Sequence, residues 1–582
     1  MKYAFQVIFF LVSITAYSQV NGGLVTFDTL KFAYKTNGGL DSIDQHNHSS
    51  TKVFPIIYPR SMGSFLDPFS MLLPAGSVFH SPYNKQAVLH YSALPHVGVA
   101  YTFGSQGTQH LSFNYNQVFR KNLVVNLTAA NHASTGFYRN SAWKSSDYSI
   151  AIAKNSRIYS FCFDAGFSKE NRNLSNGIVA DSLATLYPLT LIPVRKENAF
   201  SNSTLRKIQL ANYFDFSAKD SVRFFGLILE SKLSSLDRYY QEEDQLNTLY
   251  SLIQYDSLIT SDHYGLIDLT NQIGIGYKSN KLFWNVGVNA NYWRYSNQGM
   301  LRDTLVLDLY SKLELKMGNW RINNSSSYNL VGAKNAWSII SAAVWRKEGH
   351  YLSIENANVK SAPLPFQRFY QANNVSYSLS DFNLQEMYSI RGLFREKMGK
   401  HFLAITYCWQ ATKKVYVYDG QSWVSNAMLG QQMLGQIGLN GSIKLGSFEV
   451  SPNYLLTLMD KDYRFYPMHM FSARTSVKGG IFKAKKLKAL AAIDLMYSSS
   501  YKAPRLISNM TMIDFSNLPN AVDQKPLFNA GVLVGLEVET FRFFARLDNV
   551  AYFISNRSQL LMEGYTLPTW QIKFGITWDF WN

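Results

Sequence analysis

The chain has 582 residues, with 56 Lys and Arg against 39 Asp and Glu and a formal net charge of +17. Charged residues make up only 16% of it and aromatic residues 15%, where a soluble globular domain carries about 25% charged residues. The deficit argues against a surface bathed wholly in water, and two cysteines in such a length argue against a disulfide framework.

Lys2 opens the chain with a positive charge. An apolar run follows from Ala4 to Ile14, interrupted by Gln6 and Ser13, and Ala16, Tyr17 and Ser18 precede Gln19. This pattern predicts a secretory signal peptide over residues 1–18, too short to span a bilayer as a helix. Export argues against nucleic acid as the partner of the basic charge. No later segment approaches 18 consecutive apolar residues, so no transmembrane helix is expected. Residues 19–90 are rich in Asp, Asn, Ser, Gly, Pro and His and hold no lasting period. Two readings stay open for them: a partial plug inside a barrel, or a periplasmic tail. His46 and His48 lie two apart in this stretch with no third ligand at a recognisable spacing, so a solvated loop is expected there rather than a metal site.

From about residue 91 to 582 the sequence alternates with a period of 2. Val97, Val99, Tyr101 and Phe103 form one apolar row; Leu123, Val125, Leu127 and Ala129 form another; Tyr159, Phe161, Phe163, Ala165 and Phe167 a third. Later rows are Leu282 to Tyr292, Leu305 to Met317, Leu487 to Tyr497 and Phe528 to Val538. Each is close to the 9–11 residues that a tilted strand needs to cross a bilayer. The interleaved residues are polar or small, such as Asn285, Gly287, Asn289 and Asn291. A helix would scatter these groups around its circumference, whereas a strand collects them on one side. Tight connections are expected near 119–122, 154–157, 217–221, 278–281, 317–320, 346–350, 395–400, 444–447, 480–486 and 538–541. Between them fall connections near 104–109, 131–147, 169–204, 232–269, 331–336, 359–383, 411–432, 499–526 and 550–568, most of them longer. Short periplasmic turns alternating with longer outer loops mark an outer-membrane barrel. The expectation is therefore an all-β, closed, antiparallel, up-and-down transmembrane barrel of about 22 strands (range 16–24, even), with both termini periplasmic.

The last strand is the clearest. Trp570, Ile572, Phe574, Ile576, Trp578 and Phe580 share one face, and Gln571, Lys573, Gly575, Thr577 and Asp579 share the other. Aromatics at both ends of the apolar face fit the interface girdles of a membrane strand. Together with the blocks Leu527 to Ala530, Phe541 to Val550, Val99 to Gly104, Gln109 to Phe113, Ser134 to Tyr138, Glu170–Asn171 and Asn176 to Ile178, this ending resembles the β-barrel porin family of the Bacteroidota. The resemblance implies an outer-membrane barrel and names no solute. Residues 45–90 depart from the family pattern.

The remaining signals concern charge. Arg120, Lys121, Lys154, Arg157, Lys278, Lys281, Lys397, Lys400, Lys483, Lys485, Lys486 and Lys488 gather at or near tight turns. They can meet anionic headgroups or attract anionic solutes to the mouth. On the inward parity stand Lys312, Glu314, Lys316, Arg391, Arg542, Arg546, Lys573 and Asp579, the candidate pore-lining residues, with Asp164, Asp308 and Asp548. Ion pairs that brace the wall and a charged eyelet that tunes selectivity are both open. Cys162 and Cys408 fall on the fifth and fifteenth strands, too far apart around a barrel to pair. No catalytic Ser/His/acid set stands out, and no enzyme or cofactor is expected. The expected function is passive diffusion of small hydrophilic solutes across the outer membrane, leaning to anions. The alternatives are a plugged, energy-coupled transporter and a barrel scaffold for surface or secretion machinery.

Overall fold

The computed structural model describes residues 94–581 except 120–122, 155, 157, 218–222, 245–249, 251, 415, 419–422, 426–430, 460–465, 483–485, 504, 508–511, 515–520, 522 and 554–559, together with the short strands Ala33–Tyr34 and His90–Tyr91. The signal peptide, His46 and His48, most of residues 19–90, and Arg120, Lys121, Arg157, Lys483 and Lys485 lie outside the described residues.

Twenty-two strands form one closed barrel. In chain order they are β1 His96–Gly104, β2 Thr108–Phe119, β3 Leu123–Ser134, β4 Trp143–Lys154, β5 Tyr159–Asn173, β6 Ala199–Asp215, β7 Phe224–Glu242, β8 Thr260–Lys278, β9 Leu282–Asn297, β10 Met300–Met317 and β11 Trp320–Val331. They continue as β12 Trp337–Lys347, β13 His350–Ser361, β14 Gln385–Met398, β15 His401–Lys413, β16 Gln431–Leu445, β17 Phe448–Met459, β18 His469–Gly480, β19 Leu487–Ser498, β20 Leu527–Val538, β21 Phe541–Asp548 and β22 Gln571–Trp581. Each pairs antiparallel with its neighbours in sequence. β22 closes the ring on β1 with a register from His96 opposite Trp581 to Gly104 opposite Lys573. Closure leaves no edge strand, so the ladder groups that face lipid can pair within the protein, which a lipid environment requires.

The alternation read from the sequence sets which face is which. On β20, Phe528, Val532, Val534 and Val538 are exposed while Leu527, Leu533 and Glu537 are buried. On β22, Ile572, Ile576, Trp578 and Phe580 are exposed and Lys573 and Thr577 are buried. The exposed apolar face is the outside and the polar face turns inward. The ten tight connections expected from the sequence all occur, at one end of the barrel. The other end carries eleven connections, two of them absent from the sequence-based expectation: Asn297 to Met300 and Met459 to His469. The first is a two-residue turn with Gln298 at φ 45 and Gly299 at φ 82. A left-handed pair of this kind reverses a hairpin without interrupting the alternation on either side, so the sequence shows no gap there.

Strands β5 to β10 run to 15–19 residues, whereas β11 to β13 have 11 or 12. At about 3.3 Å per residue the longest exceed what a tilted span of a roughly 30 Å hydrocarbon core requires. The outward face of β7 shows where the excess begins. Phe225, Leu227, Leu229 and Leu233 give way to Ser235, Asp237 and Tyr239, and Asp237 pairs with Arg206 of β6 at 3.0 Å. The wall on this side therefore rises past the apolar band toward the long-loop end.

An arginine placed on the outer face tests the assignment of sides. Val534→Arg should cost about 2–4 kcal/mol of barrel stability if Val534 lies near the bilayer midplane, while Val534→Leu stays close to wild type. Urea titration of the barrel folded in lipid vesicles, followed by tryptophan fluorescence, measures both.

Candidate functional site

The inner wall holds the charged residues singled out from the sequence, and each lies on the face opposite the exposed apolar side chains. Arg542, Arg546, Lys573 and Asp579 come together at the seam where the barrel closes. Lys488 Nζ of β19 donates to Glu537 of β20 at 2.8 Å. Arg542 of β21 donates through Nε to Glu537 at 3.1 Å and through a terminal nitrogen to Asp579 of β22 at 2.8 Å. Asp579 meets His96 of β1 at 3.0 Å. His96 is hydrogen-bonded to Asn116 of β2, and Asn126 of β3 donates to Asn116 at 2.7 Å. One polar chain thus crosses seven consecutive strands and spans the closing pair.

A second chain runs beside it. Arg474 of β18 makes a two-pronged contact with Asp494 of β19, at 2.6 and 2.8 Å. Arg546 of β21 reaches the same carboxylate at 2.9 Å and Asp548 at 2.6 Å, and Lys573 lies 3.0 Å from Asp548. Arg546 must pass across β20 to reach Asp494, and Gly531 lies directly opposite Asp494 on β20. A Cβ at Gly531 would sit 3.3 Å from an Arg546 terminal nitrogen, so the glycine keeps the passage open. Arg542 and Lys573 are almost completely enclosed, with side chains 0% and 2% exposed. An enclosed charge is tolerated where its partners are present and charge-assisted hydrogen bonds satisfy it.

The other three sites stand apart. Glu314 accepts from Arg321 of β11 at 2.7 Å and lies 3.6 Å from Lys316. Glu314 and Lys316, with Lys278 and Lys281, line a hollow at the tight-turn end. Lys312 lies over the Tyr310 ring at 5.7 Å, and Arg391 lies 3.8 Å from Glu355 of β13. Of the other inward acids, Asp164 pairs with Lys207 at 3.0 Å, Asp308 accepts from Asn329 at 2.8 Å, and Asp548 belongs to the seam. Sequence reading passed over Glu537, His96, Arg474 and Lys207. The period-2 parity that located the others would have placed Glu537 inside as well, since it falls between Leu536 and Val538. Cys162 and Cys408 are free thiols on β5 and β15. The described turn-end lysines, Lys154, Lys278, Lys281, Lys397, Lys400, Lys486 and Lys488, all fall at the tight-turn end.

At the opposite end, loops fold onto the inner wall. The connection between β13 and β14 forms a helical turn, Pro365–Arg368, and a small hairpin of Phe369–Gln371 with Ser376–Ser378. It reaches back past β10 to the inward faces of β7, β8 and β9. Tyr370, Ala372 and Val375 pack with Leu236, Tyr264 and Tyr295, and Arg302 of β10 lies over the Phe369 ring at 5.4 Å. Asn373 Oδ1 accepts the backbone N–H groups of Tyr255 and Asp256 at 2.7 and 3.0 Å. A second cluster joins Phe137 and Tyr138, residues Ile178 to Val194, and Tyr565. Behind it Lys196 Nζ donates to Glu242 at 2.8 Å, to Tyr240 at 3.0 Å and to Tyr250. Burial pulls the Lys196 ammonium below its ordinary range, with the Glu242 carboxylate acting in the opposite sense.

A family described as putative porins matches residues 76–582. The chain belongs to this family. No curated protein matches it. Among solved structures the chain is similar to the siderophore receptor PirA of Acinetobacter baumannii, at 11% identity and a TM-score of 0.59, covering 85% of this chain and 81% of that one. It is also similar to the FrpB iron transporter of Neisseria meningitidis, at 10% identity and a TM-score of 0.58, covering 84% and 81%. A mutant of the ferric enterobactin receptor PfeA of Pseudomonas aeruginosa gives 11% identity and a TM-score of 0.58, covering 85% and 81%. At such identities the likeness is one of fold. Family and fold together indicate an integral outer-membrane barrel.

The seam network makes a stability prediction. Arg542→Ala removes the cation that Glu537 and Asp579 share but leaves them Lys488 and His96, so the loss should be about 1.5–3 kcal/mol, as for hydrogen bonds to charged groups. Arg321→Ala, whose side chain is 40% exposed, should cost less than about 1 kcal/mol. Heat-dependent migration shifts on gels and urea midpoints of the two variants check the difference.

Proposed function

We propose that the protein is an outer-membrane channel through which small hydrophilic solutes diffuse. Its tight turns and both termini would face the periplasm and its long loops the outside. The supporting observation is the inward face itself. Polar and charged side chains follow one another along the strands of a 22-strand ring, and the loop at 362–384 folds onto that face and narrows one mouth. Thr128 and Arg302 show that parts of this face are open. Transport by this route needs no cofactor. The solute would meet Lys312, Glu314, Lys316, Arg391, Arg546 and Asp579 as it passes, while Arg542 and Lys573 stay enclosed in the wall. Because most of these charges are paired, they brace the wall. Anion preference would come from the lysines at the tight-turn mouth, including the hollow bounded by Lys278, Lys281 and Lys316.

A second reading rests on the fold shared with receptors and transporters of iron compounds: energy-coupled uptake, with residues 19–90 as a small plug. A third, a scaffold for surface or secretion machinery, is favoured by no specific contact among the described residues.

Planar-bilayer recording of the purified protein separates these. Discrete ohmic steps with an anion-selective reversal potential in a salt gradient are expected. Replacing residues 365–378 by a short Gly/Ser linker should raise the single-channel conductance, because it removes the segment packed on the inner wall. Silence at all voltages, with a periplasmic energiser bound in stoichiometric amount, would favour uptake instead.

A further inference from the structure

The outer wall is not apolar all the way round. On β18 to β22 and β1 the outward residues are Val477, Thr475, Ala473 and Phe471, then Ala491, Ile493 and Leu495, Val532 and Val534, Phe541 and Phe543, Ile572, Phe574, Ile576 and Trp578, and Val97, Val99, Tyr101 and Phe103. Thr475 is the polar group in this stretch. Four strands on another side differ. The outward residues include Ser311 on β10, Asn324 and Ser326 on β11, Ser341 on β12, and Asn356 and Asn358 on β13. Their faces follow from the register. Ser311 lies opposite Ser326, Asn324 opposite Ser341 and Ser341 opposite Asn356, while the alternate residues Glu314, Arg321 and Glu355 take part in the inward ion pairs described above.

The patch sits at mid-height. On β11 the outward row runs Trp320, Ile322, Asn324, Ser326, Tyr328, and on β12 it runs Trp345, Ala343, Ser341, Ile339, Trp337. Aromatics that mark the two interfaces thus flank the polar groups on both strands. Within one barrel the groups are partly satisfied. Ser311 and Ser326 hydroxyls lie 2.9 Å apart and Asn324 donates to Ser341 at 3.4 Å. Asn356 Oδ1 and Ser341 are already covered within the single barrel, so the half-buried Ser311, Asn324 and Ser326 and the exposed Asn358 are the groups a neighbour would meet. Hydrocarbon offers such groups nothing, so polar side chains in a membrane serve where another chain covers them. By contrast the outward pair Ser231–Asn271, at 2.8 Å, is isolated and closed on itself.

We infer that the face formed by β10 to β13 is an interface with a second copy of this chain within the membrane. Three features select a second copy. Each Ser hydroxyl and Asn amide both donates and accepts, and the patch carries no net charge, so it complements itself, as a symmetric contact requires. A second copy presents its own patch at the same depth, because the same Trp and Tyr residues fix its height in the bilayer. The small side chains Ser326, Ser341 and Ala343, and the five-residue connection between β11 and β12, let two walls approach closely. The inference rests on the membrane-barrel reading of the outer wall.

The test uses the full chain in outer-membrane fractions, with Cys162 and Cys408 replaced by Ala and one new cysteine in each variant. Ile339→Cys and Asn358→Cys should give a disulfide-linked species of twice the chain mass under mild oxidation, and Val534→Cys should not. Native mass spectrometry of the unmodified protein in mild detergent should show a multiple of the chain mass. Asn324→Leu, Ser326→Leu, Ser341→Leu and Asn356→Leu combined should reduce it to one chain, with heat modifiability retained. A membrane-inserted protein of single-chain mass without Ile339 or Asn358 cross-links would overturn the inference alone. So would cross-links to a chain of different mass. Absence of the protein from the membrane fraction would instead overturn the barrel reading beneath it.

Discussion

The rest of the structure depends on the pairing of β22 with β1. A sheet of 22 strands with two free edges would expose unpaired backbone groups, and lipid cannot satisfy them. Closure solves this only if the register is correct. A slip of one residue would turn Lys573 and Asp579 outward and bring Ile572, Trp578 and Phe580 inside, since side chains alternate with a period of 2. The polar chain from Lys488 through Glu537, Arg542, Asp579 and His96 to Asn126 crosses the joint and ends well past it. It is satisfied in one register. A wrong closure would leave these charges without their partners, and an unpartnered buried charge is costly.

Height adds a second constraint. β7 and β8, at 19 residues each, carry their inward faces beyond the apolar band, and there the inward residues become aromatic. Tyr240, Tyr264 and Tyr295 are buried, and the 362–384 connection lies against two of them. The tall side of the barrel is thus the side that receives a loop, and the low side, β11 to β13, is the side that sends one. Asn373 shows why the arrangement holds. Its side chain caps the backbone at Tyr255, Asp256 and Ile259, so the incoming loop supplies hydrogen bonds that the 243–259 connection does not make for itself.

Period-2 alternation made the fold legible. It gave all but two of the connections, the sides, the tight turns and the inward parity of every candidate charge, because one physical requirement, apolar outside and polar inside, acts on each strand separately. Three features escaped it for reasons that are equally physical. The turn at Gln298–Gly299 needs two left-handed residues and no polar linker, so the alternating rows of β9 and β10 run up to it from both sides. Phe544, at 0% exposure, points inward although it is aromatic. It lies opposite Gly535 and Gly575, and the packing of a ring across two glycines depends on register between strands. The partner of each charge is likewise a cross-strand fact: Arg546 meets Asp494 across an intervening strand, and no spacing along the chain encodes that.

The same pairing bears on selectivity. In the channel proposed above, an inward Arg beside an inward Asp at 2.6 Å would present a dipole to an ion, and the field of a dipole falls faster with distance than that of a lone charge. Arg542, Arg546 and Lys573 are enclosed as well as paired, so their contribution at the axis is smaller than their number suggests. The turn-end lysines differ in placement. They are gathered at one mouth, and Glu314 is the acid bounding the hollow near Lys278, Lys281 and Lys316. Charge of one sign at an opening raises the local concentration of counter-ions over about 10 Å at 0.1 M salt. The described turn-end lysines thus place positive charge at one rim, while the paired charges along the wall hold the cylinder in register.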